Sequence, residues 1–254
     1  LFNDLPFSVP VDQIECDLSG RFCLCKDVEE QRRSSWDMTV RRRPSAFDGA
    51  LLRMTSHKLA DRHLTISASR TSFSAYVVTR PAEFAKRHGN AERANPLGLT
   101  AIVRTADDQI IVTVRSLTAD QNPGALYLIG GYAEPAEQDG YIDLFNEAKR
   151  EVEEEIAVRD IDRSTSFGIG LAYDPVFCHP ELTLLMPSKS VAASILAGAE
   201  NAPDRNEAFQ LLACPINQFL DEDGPFAGTP KTWSFIKSRQ FLREHLRLID
   251  PAEY

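Results

Sequence analysis

Apolar and polar residues alternate over Arg21-Phe22-Cys23-Leu24-Cys25 and Leu64-Thr65-Ile66-Ser67-Ala68, the two-residue period of strands with one buried face. From Leu99 the texture changes. Leu99 to Val103 and Ile110 to Val114 are β-rich runs joined by Thr105-Ala106-Asp107-Asp108, a hairpin signal. Tyr127-Leu128-Ile129 predicts a short strand leading into Gly130-Gly131, and further strands are expected around Phe167 to Tyr173, Leu182 to Met186 and Phe209 to Ala213. Helical patterns occur over Tyr141 to Ile156, Val191 to Ala199 and Lys231 to Leu248. Strands interleaved with a few helices predict an α/β fold. The polar stretch Lys86 to Asn95 has the character of a connection, which predicts an N-terminal β-rich extension, 1–92, packed on a second domain, 93–254. The basic run Arg41-Arg42-Arg43, closed by Pro44, is expected to be a solvated loop or a helix end.

One predicted helix carries chemistry. In Arg150-Glu151-Val152-Glu153-Glu154-Glu155-Ile156, residues three and four apart share a face, so Glu151, Glu154 and Glu155 stand together while Leu144, Phe145, Ala148 and Val152 form a separate apolar stripe. Like charges at that spacing cost a few tenths of a kcal/mol per pair in an isolated helix. A hard divalent cation with oxygen ligands would offset the repulsion. A solvated acidic face is the ordinary alternative for a glutamate run. The residues around this run decide against it.

The tract Arg-Glu, aliphatic, any, Glu-Glu, any, small, aliphatic resembles the second half of the Nudix box, and Gly131 followed after five residues by Glu137 resembles its first half. Twelve residues, Gln138 to Lys149, separate Glu137 from Arg150 where the family has seven, so this box carries a five-residue insertion. Asp139-Gly140 is a turn at which the extra residues are expected to bulge into solvent. Ala157 stands where the family usually has glycine, and if that position needs a positive φ the alanine is strained. Patches from Trp36 to Met186 resemble the animal branch of the family that hydrolyses UDP-glucose and UDP-galactose: Trp36, Thr39, Arg41, Pro44, Phe47-Asp48, Thr71-Ser72-Phe73, Asn95-Pro96-Leu97-Gly98 and Thr105 to Asp108. The box of that branch is degenerate, whereas this helix is close to the family consensus.

The resemblance implies the Nudix fold, a mixed β-sheet between helices, with 93–254 as the hydrolase domain. It implies Glu151, Glu154 and Glu155 as ligands of Mg2+, with Mn2+ as the alternative, and Gly131 as a backbone carbonyl ligand. Glu151 is the expected base, and Arg150, which cannot ligate a cation, would brace the carboxylates or pair with Glu137. Glu207, just before a late strand, occupies the place where the family adds a further acid, although an exposed surface glutamate is an equal reading there. Asp48, Thr71, Ser72 and Phe73 are candidate substrate contacts. Glu181 is a weaker candidate, either as a second metal contact or as a ribose acceptor.

Composition narrows the class further. A net charge of −9 leaves no electrostatic footprint for nucleic acid or an anionic membrane, so the expected partner is a small nucleotide diphosphate with its metal. Five cysteines lack the paired spacing of a zinc or redox site, Cys23 and Cys25 alternate as strand packing would, and the five histidines are scattered without ligand spacing. Free thiols, no apolar run of transmembrane length and no basic-then-apolar start predict a soluble cytoplasmic protein. Residue 1 is Leu, so upstream sequence is expected. Nothing in the chain sets an oligomeric state. The resemblance favours hydrolysis of UDP-glucose or UDP-galactose to UMP and sugar 1-phosphate. The alternatives are the same chemistry on ADP-ribose, NADH or a dinucleoside polyphosphate, and a nucleotide-binding module without turnover.

Overall fold

The computed structural model describes residues 3–44, 46–119 and 121–249. Two mixed sheets form its frame. The N-terminal segment contributes β1 (Leu5–Pro10), β2 (Ile14–Arg21), helix α1 (Lys26–Arg42), β3 (Ala50–Ala60), β4 (His63–Ser72) and the short helices α2 (Phe73–Thr79) and α3 (Ala82–His88). Then follow β5 (Gly98–Arg104), β6 (Gln109–Arg115), β7 (Leu126–Tyr127), β8 (Ile129–Tyr132), β9 (Gly140–Ile142) and helix α4 (Leu144–Ile156). The chain closes with β10 (Phe167–Asp174), β11 (His179–Pro187), α5 (Ala192–Gly198), β12 (Ala208–Pro215), α6 (Ile216–Leu220) and α7 (Trp233–Ile249).

The larger sheet has the order β1-β10-β11-β5-β6-β12, with β7 beside β6 and β8 beside β5; β11 and β5 run parallel and the other pairs antiparallel. The smaller sheet has the order β3-β4-β2-β9, with β2 and β4 parallel. Helix α4 packs on one side of the larger sheet, against β5 and β8, and α7 packs against β1, β10 and β11. This is the expected α/β arrangement, a mixed sheet between helices. Burial explains the composition of the central strands: β5 and β11 are covered on both faces, β5 is largely apolar, and β11 combines apolar residues with the buried polar groups His179, Glu181 and Thr183.

The two ends of the chain exchange strands. β1 pairs with β10 at the edge of the larger sheet, and β9 completes the smaller one by pairing Cys16 with Ile142 and Leu18 with Gly140. One buried cluster accordingly runs from Phe7, Cys16 and Ile66 through Leu99 and Val152 to Leu182. The insertion of the glutamate tract supplies β9. Gln138, Asp139 and Gly140 are exposed, as the turn chemistry predicts, yet they are not a free bulge. Arg70 forms an ion pair with Asp139 and donates to the carbonyls of Ala136 and Glu137, while the Gly20 amide donates to Asp139 at 3.1 Å.

Other local expectations are corrected. The strand expected over Arg21 to Cys25 stops at Arg21, and Cys23 and Cys25 are exposed rather than packed. Residues 26–42 form a helix whose mostly polar surface hid it from an apolar-period search. The basic run is the end of that helix, with Arg43 as its cap. The polar stretch from Lys86 holds the last turn of α3. The glutamate helix begins at Leu144 rather than Tyr141, because Asp143 caps it and residues 140–142 are drawn into a strand.

Candidate active site

Helix α4 is specified by both of its ends and by one buried face. The Asp143 carboxylate accepts from the amides of Phe145 and Asn146 at 3.1 and 3.2 Å, satisfying donors that a first helical turn leaves open. Leu144, Phe145, Ala148, Val152 and Ile156 are buried. Ala157 terminates the helix in the left-handed region, with φ 56° and ψ 24°, so the position the family gives to glycine does require a positive φ here. These constraints turn the glutamates toward β8 and its Gly130-Gly131 pair.

Glu155 is 4% exposed and is held at Oε1 by the Gly130 amide, 2.9 Å away, and at Oε2 by the Tyr127 hydroxyl at 3.1 Å. Burial pushes its carboxyl up to about 8, with the Gly130 amide acting in the opposite direction. Glu151 lies against Gly131: a Cβ at that glycine would stand 2.7 Å from a Glu151 carboxylate oxygen and displace the carboxylate. Burial pushes the Glu151 carboxyl up to about 7, Arg150 opposes that, and Glu154 and Glu207 add to it. At Gly130 a Cβ would overlap the Leu99 carbonyl, so close approach to backbone requires glycine there, whereas at Gly131 a side chain would push the Glu151 carboxylate out of place.

Arg150 braces the cluster. It donates to Glu154 at 2.6 Å and Glu151 at 2.7 Å, and lies 3.5 Å from Glu147 and 3.8 Å from Glu134. Its acidic partner from the loop is Glu134, whereas Glu137 is exposed and holds Arg70 through its carbonyl. With Arg150 drawing Glu151 and Glu154 toward itself, the carboxylate oxygens of Glu151, Glu154 and Glu155 do not all gather within 4.8 Å of one another. The donor set is nonetheless all oxygen and anionic, suited to a hard cation, and glycine at 131 leaves room beside Glu151. A metal here would compete with Arg150 for two of its three carboxylates.

Glu207 is brought to the same place. The short turn Arg205–Glu207 packs against α4, where the Asp204 amide donates to the Glu154 carbonyl at 2.8 Å. Glu207 keeps solvent contact, and partial desolvation against its neighbours raises its carboxyl, aided by Asp204 and opposed by Arg115. A pocket of about 280 Å³ opens beside these groups, and Gly130, Gly131, Glu207, Phe73, Tyr132 and Glu181 are among the residues that line it. Arg115 and Arg80 line it as well.

Of the candidate substrate contacts, Phe73 and Glu181 lie in this pocket. Glu181 is buried, accepts from the Thr100 hydroxyl, and sits 3.5 Å from His179, which is 4.0 Å from Asp174. Burial raises its carboxyl, with His179 acting against that rise. Asp48, Thr71 and Ser72 line a different cavity. Asp48 accepts from the Ser74 amide and hydroxyl at 2.7 and 2.6 Å, and the Ser72 hydroxyl accepts from the Ala75 amide, so both hold the start of α2. Thr71 is buried, and its hydroxyl has no partner among the described residues.

Arg115 was not legible as a site residue. Its guanidinium lies 4.9 Å from the centre of the Tyr127 ring, and its Nε is buried without a hydrogen-bond partner among the described residues. It stands at the end of an ordinary apolar strand, where an arginine usually marks the exit to solvent. The only available signal was that β6 and the Gly130-Gly131 turn must be neighbours if Leu99 to Val103 and Ile110 to Val114 form a hairpin.

No family model and no curated protein matches this chain. Among solved structures, the MutT protein from Methanosarcina mazei Go1 is similar at 17% identity and a TM-score of 0.41, covering 61% of this chain and 95% of that one. A Nudix hydrolase from Alicyclobacillus acidocaldarius is similar at 16% identity and a TM-score of 0.41, covering 57% and 89%. A Nudix hydrolase from Nitrosomonas europaea is similar at 14% identity and a TM-score of 0.39, covering 59% and 88%. Likenesses this distant bear no weight for function, which rests on the glutamate helix and its pocket.

Proposed function

We propose that this chain is a metal-dependent, Nudix-type diphosphatase that hydrolyses a nucleoside diphosphate linked to a second moiety. The observation that supports it most is the convergence of Glu151, Glu155 and Glu207 beside the glycines of β8, next to a pocket lined by those glycines, by Glu207 and by Arg115, whose buried Nε has no partner among the described residues. Glu155 is buried and Glu151 half-buried, and drawing neighbouring carboxylates out of water is costly unless a cation shares them. Mg2+, or Mn2+ in its place, would be held by Glu151, Glu154 and Glu155 with the Gly131 carbonyl, and would supply charge neutralisation and a more acidic water.

The protein's own groups take the remaining roles. Hydrolysis forms a bond from water oxygen to phosphorus and breaks a phosphorus–oxygen bond of the anhydride, while one water proton must leave. Glu151, with a carboxyl near neutrality, is matched to accept that proton at physiological pH. Arg150 holds Glu151 and Glu154 in place. Arg115 faces the pocket as the donor for a phosphate oxygen. Phe73 and Tyr132 offer aromatic faces, and Glu181 a buried acceptor for a hydroxyl.

For the substrate, the resemblance in patches along the N-terminal half favours UDP-glucose or UDP-galactose, giving UMP and a sugar 1-phosphate. Phe73 and Gly98 are the residues of those patches that line the pocket, and Phe73 is the one with a side chain to offer the substrate. Five free cysteines suit a reducing cytosol. No helix among the described residues is long and apolar enough to cross a membrane. The test is a screen of nucleotide diphosphates with Mg2+ or Mn2+, read by phosphate release after phosphatase treatment. Turnover of UDP-sugars that stops with chelation is the expected result. Turnover of ADP-ribose or NADH instead would overturn the substrate, and no turnover of any diphosphate would overturn the activity.

A further inference from the structure

Away from the glutamate helix, the start of α1 meets the end of α3. Cys25 is the residue that precedes the first turn of α1, and its Sγ lies 2.9 Å from Oδ1 of Asp27. His88 is the last residue of α3, its ring stacked on Phe84 with centroids 4.7 Å apart and planes 27° apart. One ligand atom from each of Cys25, Asp27 and His88 lies within 4.8 Å of the other two. Cys25 and Asp27 are exposed and His88 is half-buried, so solvent reaches the point where they meet.

Cys25 and Asp27 are two residues apart at the start of α1, so local geometry accounts for one beside the other. It gives no reason for an imidazole from another helix at the same point. A thiol, an imidazole and a carboxylate form a donor set suited to a borderline-soft cation such as Zn2+, with bonds of about 2.3, 2.0 and 2.1 Å. A tetrahedral centre with those bonds separates its ligand atoms by roughly 3.3–3.6 Å; the three groups lie within 4.8 Å of one another, and Cys25 Sγ and Asp27 Oδ1, 2.9 Å apart in their hydrogen bond, would move apart slightly when an ion replaces the shared proton. The field is also right. The hydrogen bond to Asp27 holds the Cys25 thiol above its ordinary range, and the charges of Asp27 and Glu92 act in the same direction. That negative field attracts a dication. The backbone N–H of Val28, at the positive end of α1, favours the thiolate once the proton has left.

We propose that Cys25, Asp27 and His88 bind a divalent cation of the Zn2+ class, with water in the fourth position, at a site separate from the hard-cation site on α4. Binding releases the thiol proton to solvent and pins the start of α1 to the end of α3. The ion is a clamp in the helical layer, and hydrolysis proceeds without it.

Co2+ is the probe, added to the full chain in the presence of excess Mg2+ so that carboxylate sites are filled. The expected result is one equivalent bound, with a thiolate-to-cobalt charge-transfer band and the intense visible absorption of a tetrahedral ion, both removed by Zn2+. Cys25→Ser should lose the charge-transfer band. His88→Ala should weaken Co2+ binding roughly tenfold or more. Cys23→Ser, two residues away on the same surface, should keep the full spectrum. Circular dichroism and Mg2+-dependent turnover should be unchanged in all three variants, which shows that lost binding is not lost folding. The proposal is overturned if stoichiometric Co2+ gives no charge-transfer band, if the band survives Cys25→Ser, or if His88→Ala binds as tightly as the unaltered chain.

Discussion

At Glu151 two demands meet, since a group buried against Gly131 must be charged to bind metal and near neutrality to accept a proton. Its carboxyl at about 7 and that of Glu155 at about 8 mean that metal binding displaces protons below those values. Mg2+ affinity is therefore expected to strengthen steadily between pH 6 and pH 8, which calorimetric titration at several pH values would reveal. A flat profile would disconnect these two residues from the metal. Glu151→Gln preserves shape and removes the charge, and is expected to lower kcat by roughly 10²–10⁴ with the fold intact. Arg115→Ala removes a charge-assisted donor and is expected to lower kcat/KM by roughly 10–100-fold, the equivalent of about 1.5–3 kcal/mol. If Arg115→Ala leaves kcat/KM unchanged, Arg115 does not touch the phosphates. The glutamate face was legible because it depends only on helical spacing. Arg115 was not, because its meaning comes from Tyr127 and Glu207, which other segments bring to it.

At the scale of elements, α4 ends on a residue poorly suited to its backbone. Alanine in the left-handed region is strained by roughly 1–2 kcal/mol, and glycine relieves that at some cost in unfolded-state entropy. Ala157→Gly is expected to raise stability by about 1 kcal/mol, read as a higher urea midpoint at unchanged slope, with unchanged metal affinity. A lower midpoint would mean that the Ala157 methyl packs usefully. The central strands and the long C-terminal helix followed from apolar period. β9 did not, because residues 140–142 carry no strand pattern of their own: they become a strand only because the β2 edge is there to pair with them. Replacing Asp139 by Ala removes the ion pair with Arg70 and the acceptor for the Gly20 amide. Asp139 is exposed, so the pair is screened by solvent and the expected result is only a small fall in the urea midpoint; no fall at all would mean that the pair does not hold β9 in place.

Across the whole molecule, the buried carboxylates couple stability to pH. In the unfolded chain Glu151 and Glu155 lose protons near the ordinary glutamate value, whereas in the folded chain they hold them up to about 7 and 8. The folded state therefore binds more protons between those limits, and its stability falls as pH rises through them. His245, depressed to about 4 by burial, acts in the opposite sense, since its contribution is lost as pH falls from about 6.5 toward 4. Above pH 6.5 the glutamates act without that opposition. The melting temperature of the protein in chelator is expected to drop between pH 6.5 and pH 8.5, Glu155→Gln should flatten that drop, and Mg2+ should remove it. A melting temperature in chelator that rises over this interval would contradict the assignment of both carboxyls.

Local spacing along the chain was enough to predict the α/β class and the glutamate helix with its acidic face, whereas the positive φ at Ala157 came from the structure. Those features depend on residues a few positions apart, which the backbone brings together wherever the helix forms. Tertiary structure alone decided that Glu134 rather than Glu137 meets Arg150, that Asp48 and Ser72 hold α2 while Phe73 faces the pocket, and that Cys25, Asp27 and His88 share one point. Each of these depends on where one element docks against another. Docking is set by the burial of a core drawn from both ends of the chain, and no stretch of sequence carries that information by itself.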